Sequence, residues 1–194
     1  MRIFEKSLVL LAVIGVAMNL LLIPGGTFFT MLAVLVLSLF YIFFGFLLFN
    51  EIKLVKVFSA SSYSAIPKYH ILGAFLSGIV ISIACIGALF GIEIWAGSKI
   101  ILLCCVIICL PLLVIVLMKQ SAKYKRYYTG ILLRLIVTGG LCLLLFAFPE
   151  HYLVEIKFRK YPQYIRLLKE SGNNPNNEKL RDSLLEERNK MHIY

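Results

Sequence analysis

Apolar positions along this chain fall in long blocks. Five of them stand out: Ser7–Ile23, Thr27–Phe49, Ile71–Ile92, Ile100–Met118 and Thr129–Phe148. Each is close to the ~20 residues that cross ~30 Å of hydrocarbon as a helix. Barrel strands alternate polar and apolar side chains over ~10 residues, and "MLAVLVLSLFYIFFGFLLF" does not alternate. A helix satisfies its own backbone in lipid, so these blocks predict five transmembrane helices. The pattern changes after residue 149, where charges and amides take over. The expected division is a membrane domain over 1–149 and a soluble tail over 150–194.

The breaks between blocks are of two kinds. After the first and third blocks they are a few residues long, "IPGGT" and "WAGSK". Pro24 and Gly25 break the first helix and permit a turn, and Gly97 does so more weakly in the second. The stretch "IGVAMNLLLIPGG" begins at Ile14, and "IGALFGIEIWAGS" begins at Ile86, 72 residues later. Both open on Ile-Gly, and both place a later glycine at the turn. One helical hairpin used twice, in the same orientation, accounts for this; two unrelated hairpins are the alternative. The predicted fold is therefore an all-α integral membrane protein. It has five transmembrane helices, built from two tandem tight-turn hairpins plus one helix, and a short helical C-terminal tail. Gly15, Gly87 and Gly91 are the helix-packing candidates, because small residues let membrane helices approach closely.

Composition agrees with the pattern. Of the 194 residues 60% are hydrophobic and 15% charged, and mean hydropathy is +0.89. A soluble domain carries about a quarter charged residues. Met1–Ile23 has the basic start and apolar stretch of a signal peptide, but no small-x-small cleavage pattern follows, so it is read as the first span. The net charge of +10 does not imply nucleic acid, because no basic face with interleaved aromatics appears. Lys and Arg flank the spans instead. Arg2, Lys6, Lys53, Lys56, Lys68, Lys119, Lys123, Lys125 and Arg126 lie on one side, nine in all. Lys99, Lys157, Arg159 and Lys160 lie on the other. The richer side is the cytoplasmic one. That places the N-terminus inside, the tail outside, and the protein in a cytoplasmic (inner) membrane.

"IGALFGIEIWAGSKIIL" resembles the hairpin of the GldL family, a membrane component of the gliding-motility and type IX secretion motor of Bacteroidota. Gly87, Ala88, Leu89, Phe90, Trp95 and Gly97 carry the resemblance, over about 35 residues. It implies a closely packed helical hairpin. The family's second helix carries an acidic residue, and "IILLCCVIICLPLLVIVLM" has none, so the motor role does not transfer.

Ionisable residues within spans are functional candidates by default. Arg134 lies five residues past Thr129, roughly 8 Å deep at ~1.5 Å per residue. It either snorkels back to the headgroups or is buried against a partner, with Glu51 the nearest acid foreseen. Glu93 sits beside the "WAGS" turn, within reach of water. Pro111 should kink the fourth helix. The five cysteines (Cys85, Cys104, Cys105, Cys109 and Cys142) all lie in spans and read as small apolar packing. A soft-metal site at Cys105 and Cys109 is the other possibility. No cofactor is implied. In the tail, "YPQYIRLLKESG" and "EKLRDSLLEERNKM" read as two amphipathic helices around "NNPNN".

No converging Asp, Glu, His or Ser pairs appear in the spans, so an enzyme is not expected. The reading is an interaction or assembly component, in contact with lipid and with a membrane-protein partner or a second copy. The alternative is a small transporter or channel subunit. A transporter would line one water-accessible surface with Arg134, Glu93 and Pro111.

Overall fold

A computed structural model describes residues 1–50, 52, 67–95, 97–119, 124–174 and 177–190. Five helices are long and apolar enough to cross a membrane. They are α1 Arg2–Leu20, α2 Gly26–Phe49, α3 Lys68–Glu93, α4 Ser98–Met118 and α5 Lys125–Ala147. Three shorter helices follow: α6 Glu150–Lys157, α7 Pro162–Asn173 and α8 Glu178–Lys190. The tail thus has one helix more than the sequence suggested. "EHYLVEIK" is too short to show a periodicity, but Pro149 precedes its first turn and Lys157 closes its last.

α3 is the centre of the bundle. It packs on α2, α4 and α5, while α1 packs on α2 and α4 on α5. Its sequence explains the position. Small residues are frequent along it, at Ala74, Ser77, Gly78, Ser82, Ala84, Gly87, Ala88 and Gly91. Lipid gives helices no hydrophobic reason to associate, so close backbone approach and interhelical hydrogen bonds must do it. Ala74, Ile81 and Ala84 are fully buried. A Cβ on Gly78 would lie 2.5 Å from the Tyr41 carbonyl oxygen, and one on Gly45 would lie 3.1 Å from the Gly78 Cα. These two glycines set the α2–α3 crossing. Nearby the Ser38 and Ser82 hydroxyls share a hydrogen bond of 2.5 Å. Gly15 lets α1 approach Thr30 of α2, Gly87 lets α3 approach Cys105 of α4, and Gly91 faces Leu102 and Leu145. α4 runs as one helix through Pro111, which is exposed on its outer face.

The two tight turns share one local geometry. Leu22 and Ile94 both have φ +56°, and Gly25 and Gly97 both have φ +80°. Ile23 N–H donates to Met18 C=O (3.0 Å) and Leu22 N–H to Asn19 C=O (3.0 Å). Seventy-two positions on, Trp95 N–H donates to Phe90 C=O (3.1 Å) and Ile94 N–H to Gly91 C=O (3.3 Å). Each set is the paired 6→1 and 5→2 bonding of a Schellman ending, which satisfies otherwise orphan carbonyls. The accompanying apolar contact is present in the second turn, where the Phe90 and Trp95 ring centroids are 4.6 Å apart. Gly26 is needed for space: a Cβ there would meet the Met18 carbonyl carbon at 2.8 Å.

Candidate functional site

Buried charge gathers at both ends of the bundle. One end holds the starts of α1, α3 and α5; the other holds the two tight turns and α6.

At the first end α1 begins five residues before its apolar block, so Glu5 lies within the helix. The buried face of α1 is Glu5, Leu8, Ala12, Gly15 and Asn19, a three-four spacing with a polar residue at each end. Arg134 of α5 forks onto Glu5. Its Nε donates to Oε1 and its Nη2 to Oε2, while Nη1 donates to the Gly130 carbonyl at 2.6 Å. Tyr41 of α2 donates its hydroxyl to Glu5 Oε1 at 2.7 Å. The guanidinium also lies 5.4 Å from the Phe49 ring centroid. The side chains of Arg134 and Glu5 are 18% and 9% exposed.

Of the two readings of Arg134, this geometry is that of the buried, partnered residue. It is held across the bundle by a two-pronged, charge-assisted bond, the arrangement guanidinium planarity favours. Its partner is Glu5; the foreseen partner, Glu51, lies outside the described residues. Glu5 escaped the sequence reading because the first span was begun at Ser7, past the charged residues. The stripe from Glu5 to Asn19 was the signal that held it.

At the turn end Glu93 accepts from two sides. Asn19 Nδ2 of α1 donates to Oε1, and Lys157 Nζ of α6 donates to Oε2 at 2.9 Å. Thr27 Oγ1 lies 3.4 Å from Asn19 Oδ1. The Glu93 and Lys157 side chains are 3% and 6% exposed, so Glu93 is shut away from water, against the sequence reading. Beside it Lys99 of α4 closes the end of α5, donating to the carbonyls of Leu145 (3.0 Å), Phe146 (2.8 Å) and Phe148. A cation is favoured there by the helix dipole.

An aromatic cluster joins the starts of α3 and α5. His70 stacks on Tyr127 with centroids 4.5 Å apart, and Tyr124 and Tyr128 meet it edge-on. The Tyr127 hydroxyl donates to the His70 carbonyl at 2.9 Å.

Four of the five cysteines are buried and Cys104 is exposed. Cys142 donates to the Ala84 carbonyl (3.2 Å) and Cys105 to that of Ile83 (3.5 Å). Among the described residues no three or more His, Cys, Asp or Glu side chains converge as metal ligands. An open apolar groove of about 430 Å³ lies on the outer side of α2 and α3, lined by Phe46, Ile71, Leu72 and Phe75. In the tail, Lys169 bonds Glu155 at 2.5 Å and holds its carboxyl below the usual range.

Arg134 and Glu93 thus belong to separate closed clusters, and Pro111 faces outward from α4, away from both. No family model, no curated protein and no solved structure matches this chain.

Proposed function

We infer that the chain is an interaction or assembly component of a membrane complex. One observation carries the reading: among the described residues, the span charges Glu5, Arg134 and Glu93 are engaged by other side chains of the fold. Glu5, Arg134 and Tyr41 form one satisfied set, and Glu93, Asn19 and Lys157 form another. A transport path needs polar groups that exchange partners with a passing solute or with water. Here Arg134, Glu93 and Pro111 share no surface. The lateral apolar groove suits contact with a neighbouring helix or lipid.

On this reading the protein resides in a cytoplasmic (inner) membrane, with the N-terminus inside and the tail outside, following the Lys and Arg distribution. The shared geometry of the two turns supports a duplicated hairpin. The GldL-like stretch supports a distant kinship of that hairpin alone, since the family's intramembrane acid is missing. The partner is another membrane protein or a second copy, and no catalytic role is assigned.

The test is affinity purification of the tagged chain from native membranes after mild cross-linking, with mass spectrometry of what accompanies it. The reading expects a stoichiometric membrane-protein partner or a defined homo-oligomer. An uncross-linked monomer that conducts ions or solutes in proteoliposomes would overturn it.

A further inference from the structure

We propose that the Glu93–Lys157 pair is a latch that fastens the C-terminal tail to the turn end of the bundle, and that opening it frees α6–α8 as one unit. Three observations converge on this device.

Lys157 is the last residue of α6 and is 5% exposed. Lysine is almost never buried so deeply unless it is paired, and its partner is a span residue. The Glu93 carboxylate is in turn oriented by Asn19, itself 2% exposed. One carboxylate therefore gathers α1, α3 and α6.

Beyond this pair, α6 turns Val154 inward, 6% exposed. Among the described residues, extensive helix–helix packing runs from α1 through α5 and again between α7 and α8, and α6 takes no part in it. Its covalent link to α5 is extended backbone at Phe148 (φ −71°, ψ 128°) and Pro149 (φ −60°, ψ 139°). Lys99 clamps the α5 side of that link by binding the Leu145, Phe146 and Phe148 carbonyls. The joint thus has a fixed base, a short hinge and, among the described residues, one buried ion pair beyond it.

The tail is also tied together internally. Lys169 bonds Glu155 across α6 and α7, the Phe158 and Tyr164 rings meet at 4.8 Å, and α7 packs on α8. These ties carry α6, α7 and α8 together when the latch opens. Lys157 then reaches water, while the Glu93 carboxylate keeps the Asn19 amide as a donor.

The experiment is hydrogen exchange by mass spectrometry on the full chain in nanodiscs, comparing wild type with Lys157→Met, Glu93→Gln and the reversal Glu93→Lys/Lys157→Glu. Each single substitution should raise amide exchange in α6–α8 by about tenfold or more, the mark of a local opening, with α1–α5 unchanged. The reversal should restore most of the protection, since Asn19 has a carbonyl oxygen that can accept from lysine. Unchanged tail exchange in the singles overturns the latch. So does a rise spread equally through the spans, or a reversal no better protected than the singles.

Discussion

At the residue scale the decisive contact is Arg134 with Glu5. A forked bond to both carboxylate oxygens needs a planar guanidinium, and lysine offers only a point charge. Arg134→Lys should therefore destabilise the protein even though it keeps the charge. Hydrogen bonds to charged groups are worth about 1.5–3 kcal/mol, and the loss should fall near that range. The ~3–5 kcal/mol of a fully buried broken pair is an upper bound, because the Arg134 side chain is 18% exposed. Glu5→Gln should cost a similar amount. Replacing both residues with methionine should cost less than the two single losses together, since neither charge is then left alone. Denaturation in detergent checks all three; Arg134→Lys as stable as wild type would restore the snorkelling reading. The sequence flagged Arg134 because a charge stood in an apolar block. It concealed the partner, because an acid four residues into a chain looks like headgroup-side sequence until the helix start is known.

At the scale of elements the two turns give the sharpest expectation. A Cβ on Gly25 or Gly97 meets nothing within 4 Å, so an alanine there costs only the left-handed conformation, about 1–2 kcal/mol. Because the turns share their angles, Gly25→Ala and Gly97→Ala should lower stability by similar amounts. A clear inequality in thermal unfolding would count against a repeated unit. Gly78→Leu belongs to the other class. Its side chain would drive into the Tyr41 carbonyl, part the α2–α3 crossing, and abolish accumulation in the membrane. The spans were legible from hydropathy alone, and the turns from Pro24, Gly25 and Gly97. The left-handed Leu22 and Ile94 were not, because nothing in the propensity of either residue favours that conformation. The central place of α3 was written in its small residues, yet only Gly87 and Gly91 were singled out. Gly45 and Gly78 sit where two separate stretches of chain cross, and one stretch read alone does not reveal its partner.

For the whole molecule, two buried ion pairs at opposite ends bind the first helix to the last-packed elements: Glu5 to α5, and Asn19 through Glu93 to α6. These are struts across a bundle of five helices long and apolar enough to cross a membrane, and the proposed topology has all five crossing, with the start of α1 and the tail on opposite sides. The proposed direction rests on the Lys and Arg distribution, with Lys99 and Lys157 on the poorer side engaged inside the fold. The most direct measurement is a pair of compartment-sensitive reporter fusions, one inserted at Ser61 and one after Tyr194. The account predicts cytoplasmic activity at Ser61 and extracytoplasmic activity after Tyr194. Both reporters active on the same side of the membrane would contradict it.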